Sequence, residues 1–122
     1  MSNSEQTDQP LILNATDYHV LMVLLEEDLY GYAIMRAVEQ DSKGAVSPGI
    51  GSLYRILARL VTEGLVEDVD APKGAPREHR GRQRRYYSLT HEGRAALKSE
   101  SLRLQGVLKL AQQRSLLPEV PG

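Results

Sequence analysis

Six of the fifteen basic residues of this chain lie within fourteen consecutive positions, from Pro72 to Arg85. They are one lysine and five arginines, opposed by a single acid: Lys73, Arg77, Arg80, Arg82, Arg84 and Arg85, with Glu78. The segment therefore has a net charge of +5, whereas the other 108 residues hold nine basic and fifteen acidic side chains, a net of −6. Guanidinium groups bind phosphates and carboxylates. This segregation of charge predicts an anionic partner for the segment.

Other kinds of chemistry find little support in the sequence. The chain has no cysteine, which excludes a disulfide scaffold, a thiolate metal site and a cysteine nucleophile. The three histidines, His19, His79 and His91, are far apart and lack paired metal-ligand spacing, so we expect no metal. No Ser/His/Asp or paired-carboxylate arrangement points to catalysis. We predict a protein that is not an enzyme and that needs no cofactor.

Two helices are predicted ahead of the basic segment. Asn14, Thr16 and Asp17 precede an apolar run, which is an N-cap signature for a first helix over residues 15–27. A second helix is predicted to begin at Gly31, with an apolar stripe on one side. Gly44 supplies a left-handed stop for it.

A third helix has the clearest boundaries. Ser47 followed by Pro48 predicts an N-cap ahead of a proline at the first helical position, and Gly64 predicts the end. One face carries apolar residues at helical spacing: Ile50, Leu53, Leu57, Leu60 and Val61. The opposite face is small, polar or cationic: Gly49, Ser52, Arg55, Arg59 and Thr62. The pattern predicts an amphipathic helix whose outer face can lie close to a partner molecule.

The basic segment itself lies between two predicted strands, residues 65–69 and 84–89. Residues 71–83 then form a long polar hairpin tip. Tyr86 and Tyr87 are adjacent in the second strand, so we expect one in the core and the other beside the tip. A last helix is predicted from Thr90 to about Leu116, and its apolar stripe must pack on another copy of the chain or on its own body.

Length and mass, 122 residues and 13.6 kDa, fit one compact domain with an appended element. We predict a disordered arm over residues 1–12, a domain over 13–90, a helix over 91–117 and a tail over 118–122. No apolar run approaches the ~20 residues that span a bilayer, and the N-terminus lacks a basic signal region. These features predict a cytoplasmic protein.

Three helices, a strand, a basic tip, a strand and a long helix follow one another in this order. The order predicts a fold that is mainly α with a small β-hairpin, the winged helix-turn-helix, plus a long C-terminal helix. In that fold the third helix enters the major groove of DNA, and the hairpin tip, or wing, lies along the neighbouring backbone or minor groove.

Four sequence blocks together resemble the PadR family of bacterial transcriptional regulators. They are residues 29–34 (LYGYAI), 47–57 (SPGIGSLYRIL), 63–66 (EGLV) and 84–90 (RRYYSLT), and the likeness covers about residues 15–115. The resemblance implies a winged-helix DNA-binding domain, a C-terminal dimerisation helix and repression of a nearby promoter relieved by a small molecule. It also implies that Ser52, Tyr54 and Arg55 occupy recognition-helix positions and that Arg80 to Arg85 belong to the wing.

The predicted function is that of a homodimeric regulator, a repressor that reads a palindromic operator in double-stranded DNA. The predicted DNA-binding residues are Ser47, Gly49, Ser52, Tyr54, Arg55, Arg59, Lys73, Arg77, Arg80, Arg82, Arg84 and Arg85. The predicted dimer interface is the face of the last helix that carries Leu97, Leu104, Val107, Leu108 and Ala111. Two alternatives stay open: a winged helix that grips an acidic protein partner, and a sensor of aromatic small molecules at the dimer interface.

Overall fold

The structure, a computed structural model, describes residues 12–76 and 84–119. It is mainly α with one small antiparallel sheet, which confirms the predicted fold class. In chain order the elements are α1 (Ala15–Val23), β1 (Leu29–Tyr30), α2 (Gly31–Asp41), α3 (Ile50–Thr62), β2 (Val66–Val69), β3 (Tyr86–Leu89) and α4 (His91–Gln113).

Helix α1 begins as predicted but ends four residues early. The Asn14 side chain accepts a hydrogen bond from the Asp17 N–H at 2.8 Å and caps the helix. At the other end, the N–H groups of Leu24 and Leu25 donate to carbonyls three residues back, so the last turn tightens. The acidic run of residues 26–28 would oppose the dipole of a longer helix, and the prediction of helix to residue 27 is wrong.

The sheet has three strands in the order β1-β3-β2, all antiparallel. Strands β2 and β3 are the predicted hairpin, although β3 begins at Tyr86 and β2 at Val66. Strand β1, which places Tyr30 opposite Tyr86, was not predicted, since two residues are too short to show an alternating pattern. The added strand covers the edge of β3 and ties the start of α2 to the hairpin.

Helix α3 starts at Ile50, two residues later than a Ser47 cap would set it. Gly49 is the N-cap, without a side-chain bond to the helix, and Pro48 lies before it. The Ser47 hydroxyl instead donates to Glu39 Oε2 at 2.7 Å, so the predicted cap is wrong because this side chain is engaged with α2. The end of α3 is as predicted, because Gly64 has a φ of +80°.

The core lies where α1, α2 and α3 meet the sheet and the first turns of α4. Val20, Leu21, Ile34, Leu57 and Leu60 each have a relative exposure of 0%. Both Tyr86 and Tyr87 are buried, although one was expected to border the wing. Tyr87 joins the central cluster, while Tyr86 is covered by the Tyr30 ring at 5.6 Å between centroids. The unpredicted strand β1 explains the difference.

Helix α4 is capped by Thr90 as predicted, since the Thr90 hydroxyl accepts a bond from the Gly93 N–H at 2.9 Å. The same hydroxyl donates to the Gly64 carbonyl at 2.6 Å, which fastens the helix start to the end of α3. The helix ends at Gln113, three residues before the predicted end, and Ser115 takes a φ of +64°. At 1.5 Å per residue, its 23 residues extend about 34 Å. Leu97 and Glu100 are buried, but the second half is mostly exposed.

Candidate nucleic-acid interface

Helix α3 presents a face of small and cationic residues to solvent. Gly51, Ser52, Arg55 and Ala58 are exposed, while Leu53 on the opposite side is fully buried. Arg55 Nη2 donates to Ser52 Oγ at 3.2 Å, one turn earlier on the same helix. Short side chains let a helix approach base edges, and arginine pairs with guanine in bidentate fashion. This face has the shape and charge to enter the major groove of DNA.

The orientation of α3 is fixed by a close packing contact with the start of α2. Tyr54 is 44% exposed, yet its ring lies directly against Gly31. A Cβ at Gly31 would lie 2.5 Å from Tyr54 Oη, so a larger residue there would displace the Tyr54 ring. Tyr54 therefore combines a packing role with an exposed edge on the predicted DNA-binding face.

Arg59 was predicted to bind DNA, but acidic side chains engage its guanidinium. Its Nη2 donates to Asp17 Oδ1 at 2.7 Å, and its Nη1 lies 3.3 Å from Glu63 Oε1. The hydrogen bond from Arg59 to Asp17 raises the pKa of the guanidinium, against the opposing effect of burial. This ion pair links α1 to α3. Asp17 is buried and about half of the Arg59 side chain is covered, so the Arg59 charge is used within the fold.

The described part of the wing carries three of the predicted cations. Lys73 is exposed at a turn whose Gly74 has a φ of +85°. Arg85 is exposed and lies 3.6 Å from the Asp68 carboxylate on the neighbouring strand, so part of its charge is compensated. The predicted contacts Arg77, Arg80 and Arg82 lie outside the described residues.

Arg84 stands out because an aromatic ring holds it. Its guanidinium carbon lies 4.2 Å from the centre of the Tyr30 ring, within the distance of a cation–π interaction. Tyr30 also contacts Arg36, whose Nη2 donates to Tyr30 Oη at 3.5 Å. Sequence patterns missed this arrangement because it depends on strand β1, which brings Tyr30 beside the end of the wing.

Tyr87 marks the boundary between this surface and the core. Burial raises the pKa of its hydroxyl, and the nearby Asp68 carboxylate raises it further. The phenol therefore stays neutral under ordinary conditions and adds no negative charge beside the wing arginines.

The predicted dimer face of α4 divides into two parts. Leu97 is 3% exposed and packs in the core of its own chain, so it is not available to a partner. Leu97 is buried because it lies in the first turns of α4, which pack against the domain. Val107 and Leu108 are about half exposed, whereas Leu104 and Ala111 are partly covered. Further along, Leu110, Leu116 and Leu117 are also exposed, which leaves an apolar surface on the distal half of α4.

The described residues show neither of two other kinds of site. Within residues 12–76 and 84–119, no three His, Asp or Glu side chains come together as ligands for a metal ion. Across the same residues, none of the helices combines the length and hydropathy needed to cross a membrane.

The described elements define a winged helix-turn-helix: α2 and α3 with the β2–β3 hairpin, and α4 appended. The sequence model of the transcriptional regulator PadR-like family matches residues 20–99, two thirds of the chain. The chain therefore belongs to the PadR-like family of transcriptional regulators.

Solved structures of similar fold agree with this assignment. A PadR family transcription regulator from Clostridium difficile has a TM-score of 0.66 and 23% identity, over 82% of this chain and 97% of that one. Bacillus subtilis PadR in complex with operator DNA has a TM-score of 0.58 and 22% identity, over 71% of this chain and 46% of that one. At such identities these similarities concern the fold.

A curated relative is 43% identical over 82 residues. It is an uncharacterized 37.1 kDa protein in transposon TN4556 of Streptomyces fradiae. The matched stretch is 67% of this chain but 21% of that protein, so the chain spans about a fifth of the length of the curated relative it matches.

Proposed function

We propose that this regulator binds double-stranded DNA in a sequence-specific manner as a homodimer. Helix α3 reads base edges in the major groove, and the wing grips the adjacent backbone. The observation that carries the proposal is the face of α3: exposed Ser52 and Arg55 stand opposite fully buried Leu53 and Leu57. An arginine held at the surface of such a helix, without a carboxylate partner among the described residues, is equipped for base contact.

The charge distribution supports the same proposal. The acidic body, with its net charge of −6, would be repelled by DNA, so the +5 segment determines which side of the molecule approaches. Each wing cation that neutralises a phosphate releases counterions, which makes binding depend steeply on salt. An acidic protein partner, the alternative for this segment, would not use the exposed small-residue face of α3.

The dimeric state in the proposal is supported by the exposed apolar side chains on the distal half of α4. Val107 and Leu108 are 48% and 54% exposed, and pairing two copies of α4 along this face would bury both. A symmetric dimer predicts a palindromic operator with half-sites one helical turn, or a multiple of it, apart. We further propose that binding at such a site within a promoter represses transcription there, in the cytoplasm.

The proposal is tested by gel shift of purified protein on genomic fragments at two salt concentrations. We expect a shifted fragment at low salt and a fall in affinity as salt rises. The double variant R82A/R84A should weaken binding to all sequences alike and lower the slope of log K against log salt by about 0.9 for each phosphate that is no longer neutralised. A wild-type salt slope in this variant would show that these arginines do not bind phosphates. A protein that shifts no fragment at either salt would overturn the function itself.

A second role, the sensing of a small molecule, is favoured by a cavity of about 390 Å³ between the start of α1 and the middle of α4. Its lining combines apolar and ionisable groups: Leu13, Ala15, Tyr18, His19, Glu100, Arg103 and Leu104. Nδ1 of His19 is buried without a hydrogen-bond partner among the described residues. An effector bound in this cavity would contact both the domain and the helix that we propose for dimerisation.

Calorimetry with a panel of aromatic compounds, some carrying a hydroxyl or amino group, tests this role. We expect binding to be weakened when His19→Phe replaces a polar side chain of the cavity lining by an apolar one. If no compound binds wild-type protein, the sensing role is excluded while DNA binding is unaffected.

A further inference from the structure

Tyr30 lies where β1, the start of α2 and the end of the wing meet. It is the last residue of β1 and the N-cap of α2, and it is paired with Tyr86 at the start of β3. The chain returns from the wing through Arg84, two residues before Tyr86. Arg84 precedes the strand, and its guanidinium and the Tyr86 ring both lie beside the Tyr30 ring.

The contacts of Tyr30 reflect this position. The Tyr86 ring lies 5.6 Å from the Tyr30 ring, tilted by 56°, and the Arg84 guanidinium lies 4.2 Å from the Tyr30 ring centre. The Tyr30 hydroxyl, at the other end of the side chain, accepts a bond from Arg36 at 3.5 Å. One tyrosine thus touches a cation of the wing and a cation of α2.

Arg84 and Arg36 contact a tyrosine, whereas several other arginines of the fold contact a carboxylate. Arg59, Arg85 and Arg103 each lie within 4 Å of a carboxylate. Within residues 12–76 and 84–119, Arg84 and Arg36 have no carboxylate that close. An aromatic ring orients a guanidinium without neutralising it, and the edge N–H groups of a stacked guanidinium stay available to phosphate oxygens.

We propose that Tyr30 is a positioning residue that holds Arg84, and through its hydroxyl Arg36, as one phosphate-binding unit at the junction of wing and α2. The proposal rests on the proposed DNA-binding function and deepens it. An arginine that binds a phosphate loses side-chain freedom, and an arginine already held on a ring has given up part of that freedom before DNA arrives. Tyr30 therefore raises affinity without touching DNA itself.

A double-mutant cycle tests the positioning role. Tyr30→Leu, R84A and the double variant are compared by fluorescence anisotropy on one duplex that wild-type protein binds. We expect Tyr30→Leu to weaken binding about two- to fivefold per subunit, hence about four- to 25-fold for a symmetric dimer. In the R84A background the same change should have less than about a twofold effect, because the ring then has no wing arginine to hold.

Three further variants separate the parts of the proposal. Tyr30→Phe keeps the ring that holds Arg84 but removes the hydroxyl that accepts from Arg36, so it should lose less affinity than Tyr30→Leu. Tyr32→Leu, a change at a tyrosine that is 52% exposed on the same helix, is the matched control and should bind like wild type. R36A should lower the salt slope by about 0.9 for each phosphate that Arg36 neutralises; a wild-type slope would remove Arg36 from the unit.

Equal losses of affinity from Tyr30→Leu with and without Arg84 would overturn the positioning role, since a merely structural effect needs no arginine. NMR of the free wild-type protein gives a test that needs no variant. The Arg84 side-chain protons next to the guanidinium should be shifted upfield by the Tyr30 ring, and random-coil positions would also overturn the proposal. If wild-type protein binds no duplex, the proposed function fails instead. The NMR experiment distinguishes the two failures, because it tests the contact between Tyr30 and Arg84 without DNA.

Discussion

Two arginines one turn apart on α3 have opposite surroundings. Arg55 is exposed and, among the described residues, hydrogen-bonds to Ser52 alone, whereas Arg59 is held by Asp17 and Glu63. The sequence predicted both as DNA contacts because helical spacing places them on one side of the helix. It contains no sign of the pairing with Asp17, which is 42 positions earlier and reads as an ordinary acid in a first helical turn.

The variant Arg55→Ala should lower affinity for the specific duplex by about 1–3 kcal/mol, the value of a good bidentate contact to a base pair. Binding to unrelated DNA should change little, and so should the melting temperature, because among the described residues Arg55 makes no hydrogen bond or ion pair to another element. Anisotropy titrations on both duplexes measure the difference. Equal weakening on specific and unrelated DNA would make Arg55 a phosphate-binding residue instead.

Arg59→Ala is the matched control on the same helix. It leaves the buried Asp17 carboxylate without its partner and should lower the free energy of unfolding by about 1–2 kcal/mol. This is less than for a fully buried pair, since 43% of the Arg59 side chain is exposed. Urea unfolding should show this destabilisation in Arg59→Ala and not in Arg55→Ala.

Glu100 provides a pH-dependent contribution to stability. Arg103 donates to both carboxylate oxygens, at 2.9 and 2.7 Å, and holds the pKa of Glu100 below its ordinary value of 4.5. A carboxyl with a lowered pKa stabilises the fold above its unfolded pKa, and this contribution disappears as the pH falls through the folded pKa. Below about pH 4.5, wild-type protein should therefore lose stability more steeply than Glu100→Gln.

Urea unfolding at several pH values between about 3 and 7 measures this difference, with Glu92→Gln as the exposed control on the same helix. If the stability of wild type and of Glu100→Gln changed with pH in parallel, Glu100 would not be the source of the pH-dependent contribution.

At the scale of elements, the junction between β2 and α4 depends on a glycine. A Cβ at Gly93 would overlap the Leu65 carbonyl oxygen and crowd the Leu89 side chain. Gly93→Ala should therefore lower stability by about 1–3 kcal/mol through displacement of the main chain. Gly106, in the same helix, has nothing within 4 Å, and Gly106→Ala should stabilise by up to about 1 kcal/mol through helix propensity.

Thermal unfolding of the two alanine variants compares them directly, because the substitution and the helix are the same. Stability unchanged in Gly93→Ala would mean that α4 does not dock on the strand as described.

The long amphipathic elements could be predicted because their signals are local. Caps at Asn14 and Thr90, stops at Gly44 and Gly64 and the apolar stripe of α3 are all contained within a few residues. The short strand β1 could not, because it is defined by the pairing of Leu29 with Tyr87 and of Tyr30 with Tyr86, which are 58 and 56 positions away. The same limit hid the contact of Arg84 with Tyr30.

At the scale of the whole molecule, the exposed distal half of α4 needs an explanation. The first turns of the helix pack on the domain, as buried Leu97 shows, and the later turns expose Val107 and Leu108. Amphipathic patterning predicted the apolar face but not where along the helix the domain stops covering it. That boundary depends on the size of the body.

Leu108→Glu should therefore weaken self-association without unfolding the domain, because the side chain is 54% exposed in the single chain. Ala95→Glu, which adds the same charge at an exposed position nearer the start of α4, is the control. Sedimentation velocity should show wild type and Ala95→Glu as dimers and Leu108→Glu shifted towards monomer. A wild-type monomer would remove the dimer from the proposed function.

The most direct test of the central claim is selection of duplex DNA by the purified wild-type protein, followed by footprinting of the enriched site. We predict an inverted repeat with two protected half-sites, separated centre to centre by one helical turn or a multiple of it. Absence of any enriched sequence, together with no protection of duplex DNA at low ionic strength, would contradict sequence-specific DNA binding by this protein.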